Sequence, residues 1–165
     1  MQAFMAAMHA EGLLLAANLH DDVGIGTWEN KYEYMRALMG TANGTNVPFT
    51  MCTNTTYTFG VEDVVLGELE SARIGGAAAG GGMDFWWIDW QQGGDHGGCA
   101  GLKQNPTIWT NKIRCTDAAR RAATTRGPAA AAARRAAAPP PPTGRNMVLA
   151  RWGGMGSHRY QVGFA

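Results

Sequence analysis

Residues 83–90 read MDFWWIDW, a run dense in the aromatic and β-branched residues that favour β-strands. Two further apolar runs, LLLAANL at 13–19 and MVLA at 147–150, also predict strands. Continuous apolar strands are typical of sheets that are buried on both faces. Because helical patterns alternate with these three strands, the order predicts an α/β fold with a parallel sheet or barrel.

The helices are predicted from apolar residues at helical spacing. Three such groups are Phe4, Met5 and Met8; Trp28, Tyr32, Met35 and Met39; and Val61, Val64, Val65, Leu69 and Ala72. The second helix is expected to end at Gly40. A further helix is expected to begin at Pro106, because proline fits the first turn of a helix.

Residues 118–143 differ in composition from the rest of the chain. They contain 12 Ala, 5 Arg and 5 Pro with no acidic or aromatic residue, and removing them takes the formal net charge from +1 to −4. Without large apolar side chains to bury, this tract predicts a low-complexity insertion in a solvated or disordered loop. The GGAAAGGG run at 75–82 predicts a second flexible connection.

Composition excludes several classes of protein. The net charge of +1 argues against a nucleic-acid partner, and no apolar run approaches the ~18 residues needed to cross a membrane. Three cysteines without a Cys-x-x-Cys pair predict neither a disulfide framework nor a zinc ribbon. The glycines at 153, 154 and 156 lack the Lys-Ser/Thr pair of a phosphate loop, so no nucleotide cofactor is expected.

Polar residues follow each predicted strand at once. His20, with Asp21 and Asp22 behind it, follows the first strand, Asp89 ends the second, and Arg151 follows the third. The carboxyl ends of parallel strands gather at one face, where sites are built. We therefore expect Asp89 and Arg151 to point into a common cleft, although Asp and His also commonly begin loops and cap helices.

Asp89 stands among the tryptophans at 86, 87 and 90. Indole rings stack on the apolar faces of sugars, and an ionised carboxylate can attack or stabilise an electron-poor anomeric carbon. The same tryptophans could instead belong to the core, and at least one should, because neighbours on a strand face opposite ways. The residues alone leave both readings of Asp89 open.

A metal site is the weaker alternative. Asp95, His96 and Cys99 could bind a metal together with His20, and a metal-dependent hydrolase would use His20, Asp21 and His96. However, the D-H-x-x-C spacing is not a recognised ligand pattern, and its glycine-rich surroundings offer no rigid platform. No metal is therefore predicted.

The runs MDFWWIDWQQG, VLARWGGMGSHRYQVGF and LLAANLHDDVGI together resemble the catalytic barrel of glycoside hydrolase family 31, the retaining α-glucosidases and α-xylosidases. NPTIWTNKIR at 105–114 is similar to the helix after the nucleophile loop in one branch of that family. The resemblance covers most of residues 1–116 and 145–165. Since a complete (β/α)8 TIM barrel needs ~250 residues, it implies that residues 1–165 form a partial barrel of about three βα units.

By this resemblance Asp89 falls on the catalytic nucleophile, and Arg151 falls on the arginine that holds hydroxyls of the sugar. The other substrate-binding positions that it implies are His20, Asp84, Trp87 and His158. The partner is then an α-linked carbohydrate, and no cofactor is needed. The family's general acid lies in a Gly-Asp pair directly after the GF segment, so we expect it beyond Ala165 and the chain to be a fragment. The alternative is an inactive chain that binds carbohydrate weakly.

Overall fold

The computed structural model describes residues 2–67, 69–70, 82–89, 106–124, 147–151, 153, 157 and 162–164. Within these ranges four strands form one sheet in the order β1-β2-β3-β4, namely Ala16–His20, Phe85–Asp89, Val148–Ala150 and Val162–Phe164. Every neighbouring pair is parallel. The predicted α/β fold with a parallel sheet is confirmed, and β4 is one strand more than the sequence predicted, since three residues are too few to show a period.

The α-helices described are α1 (Gln2–Ala10), α2 (Tyr32–Met39), α3 (Thr55–Phe59) with a π-helical segment (Gly60–Leu66) behind it, and α4 (Pro106–Thr124). A short 3₁₀ helix (Asp21–Val23) directly follows β1. Gly40 ends α2 in the left-handed conformation, with φ of 66°, as predicted. Asn54 begins α3, because its side chain accepts hydrogen bonds from the N–H groups of Thr56 and Tyr57. The predicted stripe starting at Val61 lies mostly on the π-helical segment.

The core lies on one face of the sheet. Trp86, Ile88, Val148 and Ala150 are buried on that face. The helices pack on it through a cluster of buried side chains that includes Tyr32, Met35, Tyr57, Val61 and Leu66 of α2, α3 and the π-helical segment. Trp109 and Ile113 of α4 pack against the same cluster. Burial of this apolar area is the main force that holds the described helices on the sheet.

Among the described residues the opposite face is less covered, since Ala16, Asn18 and His20 are exposed there while Asp89 is buried, and this corrects the expectation of a sheet buried throughout on both faces. The side chains of β1 alternate between exposed and half-buried, because successive side chains of a strand point to opposite faces of the sheet. Among the described strands β1 lies at the end of the order, beside β2. The strand also begins at Ala16, and the preceding Leu13 and Leu14 are exposed. An edge strand was indistinguishable from a central strand in the apolar run 13–19.

Three other expectations change. Trp28 precedes α2 instead of joining its apolar stripe, and it is 75% exposed with its ring against Gly26. α4 continues to Thr124, so residues 118–124 of the low-complexity tract are helical, while 125–143 lie outside the described residues. Cys52 is disulfide-bonded, which the odd cysteine count did not predict, since spacing does not show which thiols folding brings together.

No described helix has the length and apolar character needed to cross a membrane.

Candidate functional site

Three polar residues form a row at the carboxyl ends of three adjacent strands. His20 of β1 is paired with Asp89 of β2 in the sheet register. Arg151 directly follows Ala150, which is paired with Ile88, and its backbone N–H donates to the Ile88 carbonyl at 3.0 Å. The prediction that these strand ends meet at one edge is confirmed.

Asp89 is at the centre of this row. Nη1 of Arg151 donates to Oδ1 of Asp89 at 3.2 Å, and Nε2 of His20 lies 3.5 Å from Oδ2. The Asp89 side chain is 6% exposed, whereas those of His20 and Arg151 are 51% and 46% exposed. A nearly buried carboxylate is thus flanked by a guanidinium and an imidazole that both reach the solvent. The guanidinium charge stabilises the ionised form of such a carboxylate.

Asn18 is a site residue that was missed in the sequence. Its Nδ2 lies 3.5 Å from Oδ2 of Asp89, on the far side of that carboxylate from Arg151. Asn18 is two positions before His20 on β1, and residues two apart on a strand share a face. Applying strand alternation backwards from His20 would have found it.

The tryptophans of β2 divide between the two faces of the sheet. Trp86 is buried in the core and its indole N–H donates to the buried Glu70. Trp87 faces the same side as Asp89, beside its register partner Asn18. Its indole nitrogen is buried and has no hydrogen-bond partner among the residues described. One tryptophan is therefore core, as expected, and Trp87 shares the face of the candidate site. Trp90 lies outside the described residues.

Asp84 is not brought to this site. It immediately precedes β2, at the opposite end from Asp89, and five strand residues separate their Cα atoms by roughly 16 Å. Its Oδ2 accepts from the Leu15 N–H at 2.8 Å and lies 2.7 Å from Nε2 of His9. Asp84 therefore ties α1 and the chain before β1 to the start of β2, and its expected contact with substrate is not supported. His158, the remaining implied residue, lies outside the described residues.

Asp21 belongs to a buried cluster, which we call the Arg114 cluster, of Asp21, Glu62 and Arg114. Nη2 of Arg114 donates to Oδ2 of Asp21 at 2.7 Å, and Nη1 donates to Glu62. Burial alone lowers the pKa of Arg114, but the two carboxylates beside it raise that pKa above its ordinary value. The adjacent Tyr57 has a pKa raised by burial and by the charge of Asp21.

The metal alternative finds no support in the described part of the chain. No group of three His, Cys, Asp or Glu side chains there could hold a metal ion. Asp21, one of the proposed ligands, is instead paired with Arg114. Asp95, His96 and Cys99 lie outside the described residues.

Comparison with known proteins adds nothing to these observations: neither a protein-family model nor a curated protein matches the chain. What can be said of the chemistry therefore comes from the row itself. A buried carboxylate between a guanidinium and an imidazole at the carboxyl edge of a parallel sheet can act as a nucleophile, or can stabilise a positive charge that develops on a substrate.

Proposed function

We propose that the chain is part of the catalytic barrel of a retaining α-glycosidase and that Asp89 is its nucleophile. The observation that carries the proposal is the contact of Asp89 with Arg151 and His20 at the carboxyl edge of the sheet. It is supported by the resemblance of MDFWWIDWQQG and VLARWGG to the nucleophile strand and the arginine strand of glycoside hydrolase family 31. The substrate class is an α-linked glucoside or xyloside.

In this mechanism a carboxylate oxygen of Asp89 attacks the anomeric carbon while the bond from that carbon to the leaving oxygen breaks. A second carboxyl group gives its proton to the leaving oxygen and then removes a proton from the water that cleaves the glycosyl ester. We assign no residue of this chain to that second role. Asp89 must be ionised to attack, and Arg151 favours that state through its positive charge.

The neighbours of Asp89 suit recognition of a polyhydroxylated ring. A guanidinium has five N–H donors, so Arg151, which is half-exposed, can hold Asp89 and still donate to a sugar hydroxyl. The half-exposed imidazole of His20 lies on the other side of Asp89, within reach of a substrate.

The barrel is likewise a proposal. In a (β/α)8 barrel the helices cover the outer face of a parallel sheet, and the inner face is closed by other strands of the same sheet. Here the described helical core covers the face that bears Trp86, while on the other face, among the residues described, Asn18 and His20 are exposed. This one-sided arrangement is what part of such a barrel would show.

The second candidate is a chain that binds carbohydrate weakly without cleaving it. It is favoured by the observation that both oxygens of Asp89 already face partners, Arg151 on Oδ1 and His20 with Asn18 on Oδ2. In this second candidate the carboxylate of Asp89 forms a structural ion pair and does not react with a sugar. The difference between the candidates is whether Asp89 reacts.

A trapping experiment separates the two candidates. A 5-fluoro-α-glucosyl fluoride, or its xylosyl analogue, carries a leaving group that needs little protonation and forms an ester that hydrolyses slowly. We expect the intact mass of the chain to increase by one fluoroglycosyl group, and the increase to be absent in Asp89→Asn. An unchanged mass, or an equal increase in both proteins, would contradict the proposed function.

A further inference from the structure

Residues 21–24 form a turn that directly follows His20, the last residue of β1. Backbone hydrogen bonds hold this turn in place. The Gly24 N–H donates to the Asp21 carbonyl at 3.0 Å. Beyond it, Ile25 and Val47 exchange two backbone hydrogen bonds of 2.9 Å in an antiparallel bridge. Gly24 has φ of 77°, and a Cβ there would lie 2.0 Å from the Val47 carbonyl oxygen. The turn therefore lies tightly against the segment at 47–49.

The same turn is held a second time by a side chain from a distant helix. Arg114 of α4 reaches Oδ2 of Asp21 with Nη2 at 2.7 Å. Its side chain is completely buried, and its other terminal nitrogen donates to the buried Glu62 of the π-helical segment. The guanidinium is thus fixed between Glu62 and Asp21, so the carboxylate of Asp21 has one defined place.

We propose that Arg114 is a positioning residue: through Asp21 it fixes the turn after β1 and thereby holds His20 against Asp89. Asp21 and His20 are consecutive, so a displacement of Asp21 must move the His20 backbone. His20 reaches Asp89 at 3.5 Å from a side chain that is half in solvent, and a small displacement would break that contact. The inference rests on the proposed function for its catalytic meaning, but the placement of His20 can be tested by itself.

The first test observes His20 directly by NMR of the full-length chain, with the imidazole resonances assigned through His20→Gln. Asp89→Asn should shift the His20 resonances, because it changes the group that His20 faces. Asp21→Asn, which is isosteric but lacks the charge that binds Arg114, should shift them as well. Asp21→Glu keeps the charge and moves the carboxylate outward by one methylene, so it should also shift them in a chain that retains the ion pair.

Met35→Ala is the matched control for a general loss of stability. Met35 is fully buried in the helical core, and residues 20–24 are not among the described members of that core, so the His20 resonances should remain at their wild-type positions. The proposal is overturned if neither Asp21 variant moves the His20 resonances, if Met35→Ala moves them equally, or if Asp89→Asn leaves them unchanged.

The second test connects the placement to reactivity by a double-mutant cycle on the rate of fluoroglycosyl labelling. Asp21→Asn should slow labelling roughly ten- to a hundredfold, as misplacement of a site residue by about 1 Å does. If Asp21 acts through His20, the same change should have little further effect in a His20→Gln background. Additive losses would overturn the positioning role. A wild-type chain that is never labelled would contradict the proposed function, and the NMR result would still decide the placement of His20.

Discussion

Nη1 of Arg151 lies 3.2 Å from Oδ1 of Asp89, although 62 positions separate the two residues. The sheet register produces this contact, since Ile88 pairs with Ala150 and each polar residue comes one position later. Their side chains therefore leave adjacent strands at the same height. The ends of two adjacent strands thus bring the two side chains into contact, and the roles that we propose for both residues depend on this contact.

Arg151→Lys should slow fluoroglycosyl labelling of Asp89 by at least about tenfold while leaving the fold intact. Lysine keeps the charge but lacks the planar set of donors that can hold Asp89 and a sugar hydroxyl together. Because the Arg151 side chain is half-exposed, the change in unfolding free energy should be no more than about 1 kcal/mol. Labelling kinetics and urea unfolding measure the two effects. If Arg151→Lys is labelled at the wild-type rate, the Arg151 side chain has no role in the reaction of Asp89.

Arg114→Met should lower the free energy of unfolding by about 3–5 kcal/mol, because it leaves two carboxylates without their buried partner. Adding Glu62→Gln should restore part of that loss, since one uncompensated charge is then removed. Arg36→Met is the matched control: Arg36 pairs with the exposed Glu33 within α2, and its loss should be about 0.5 kcal/mol or less. Equal losses at both arginines in urea unfolding would show that the Arg114 cluster has no special importance.

Tyr57 should make the fold sensitive to alkaline pH. Its pKa in the folded chain is above the ordinary value of about 10, so the folded state binds the phenol proton more tightly than the unfolded state. Below about pH 10 both states are protonated and this contribution is complete; above it the unfolded chain loses the proton first, and stability falls by up to about 1.4 kcal/mol per pH unit.

Tyr57→Phe should therefore reduce the slope of unfolding free energy against pH between about pH 10 and 11. Tyr34→Phe, which removes an exposed phenol from α2, is the control. Denaturant unfolding at several pH values gives the slopes. If Tyr57→Phe keeps the wild-type slope, the buried phenol is not the source of the alkaline sensitivity.

Asp84→Asn should destabilise the chain without changing the reactivity of Asp89. Asp84 accepts a hydrogen bond from the Leu15 N–H and faces His9, so weakening both contacts should cost about 1–3 kcal/mol. Labelling, corrected for the folded fraction, should keep its wild-type rate, because Asp84 lies at the far end of β2. If Asp84→Asn is labelled more slowly even after correction for the folded fraction, Asp84 contributes to the substrate site and this prediction is wrong.

The parts of the site that could be predicted are those that follow from strand order. Each apolar run ends with a polar or ionisable residue. Because parallel strands align their carboxyl ends, this pattern predicted the row of His20, Asp89 and Arg151. Asp84 lies away from this row because it immediately precedes β2, whereas Asp89 ends that strand, and five residues of strand reach the opposite edge of the sheet.

The parts that could not be predicted depend on packing between distant segments. Arg114 is 93 positions from Asp21 and 52 from Glu62, and it stands in a helix that is polar on average, so no local pattern marks it as buried. Trp28 was assigned to a helical stripe by spacing alone, whereas α2 begins four residues later. Spacing indicates which residues can share a face but not where an element begins.

Whether Asp89 is the nucleophile is tested most directly by locating the adduct within the chain. After exposure to 5-fluoro-α-glucosyl fluoride the protein is digested, and the labelled peptide is sequenced by tandem mass spectrometry. We expect one fluoroglycosyl group, attached as an ester to the side chain of Asp89. An adduct on any other residue, or no adduct on a chain shown to be folded, would contradict it.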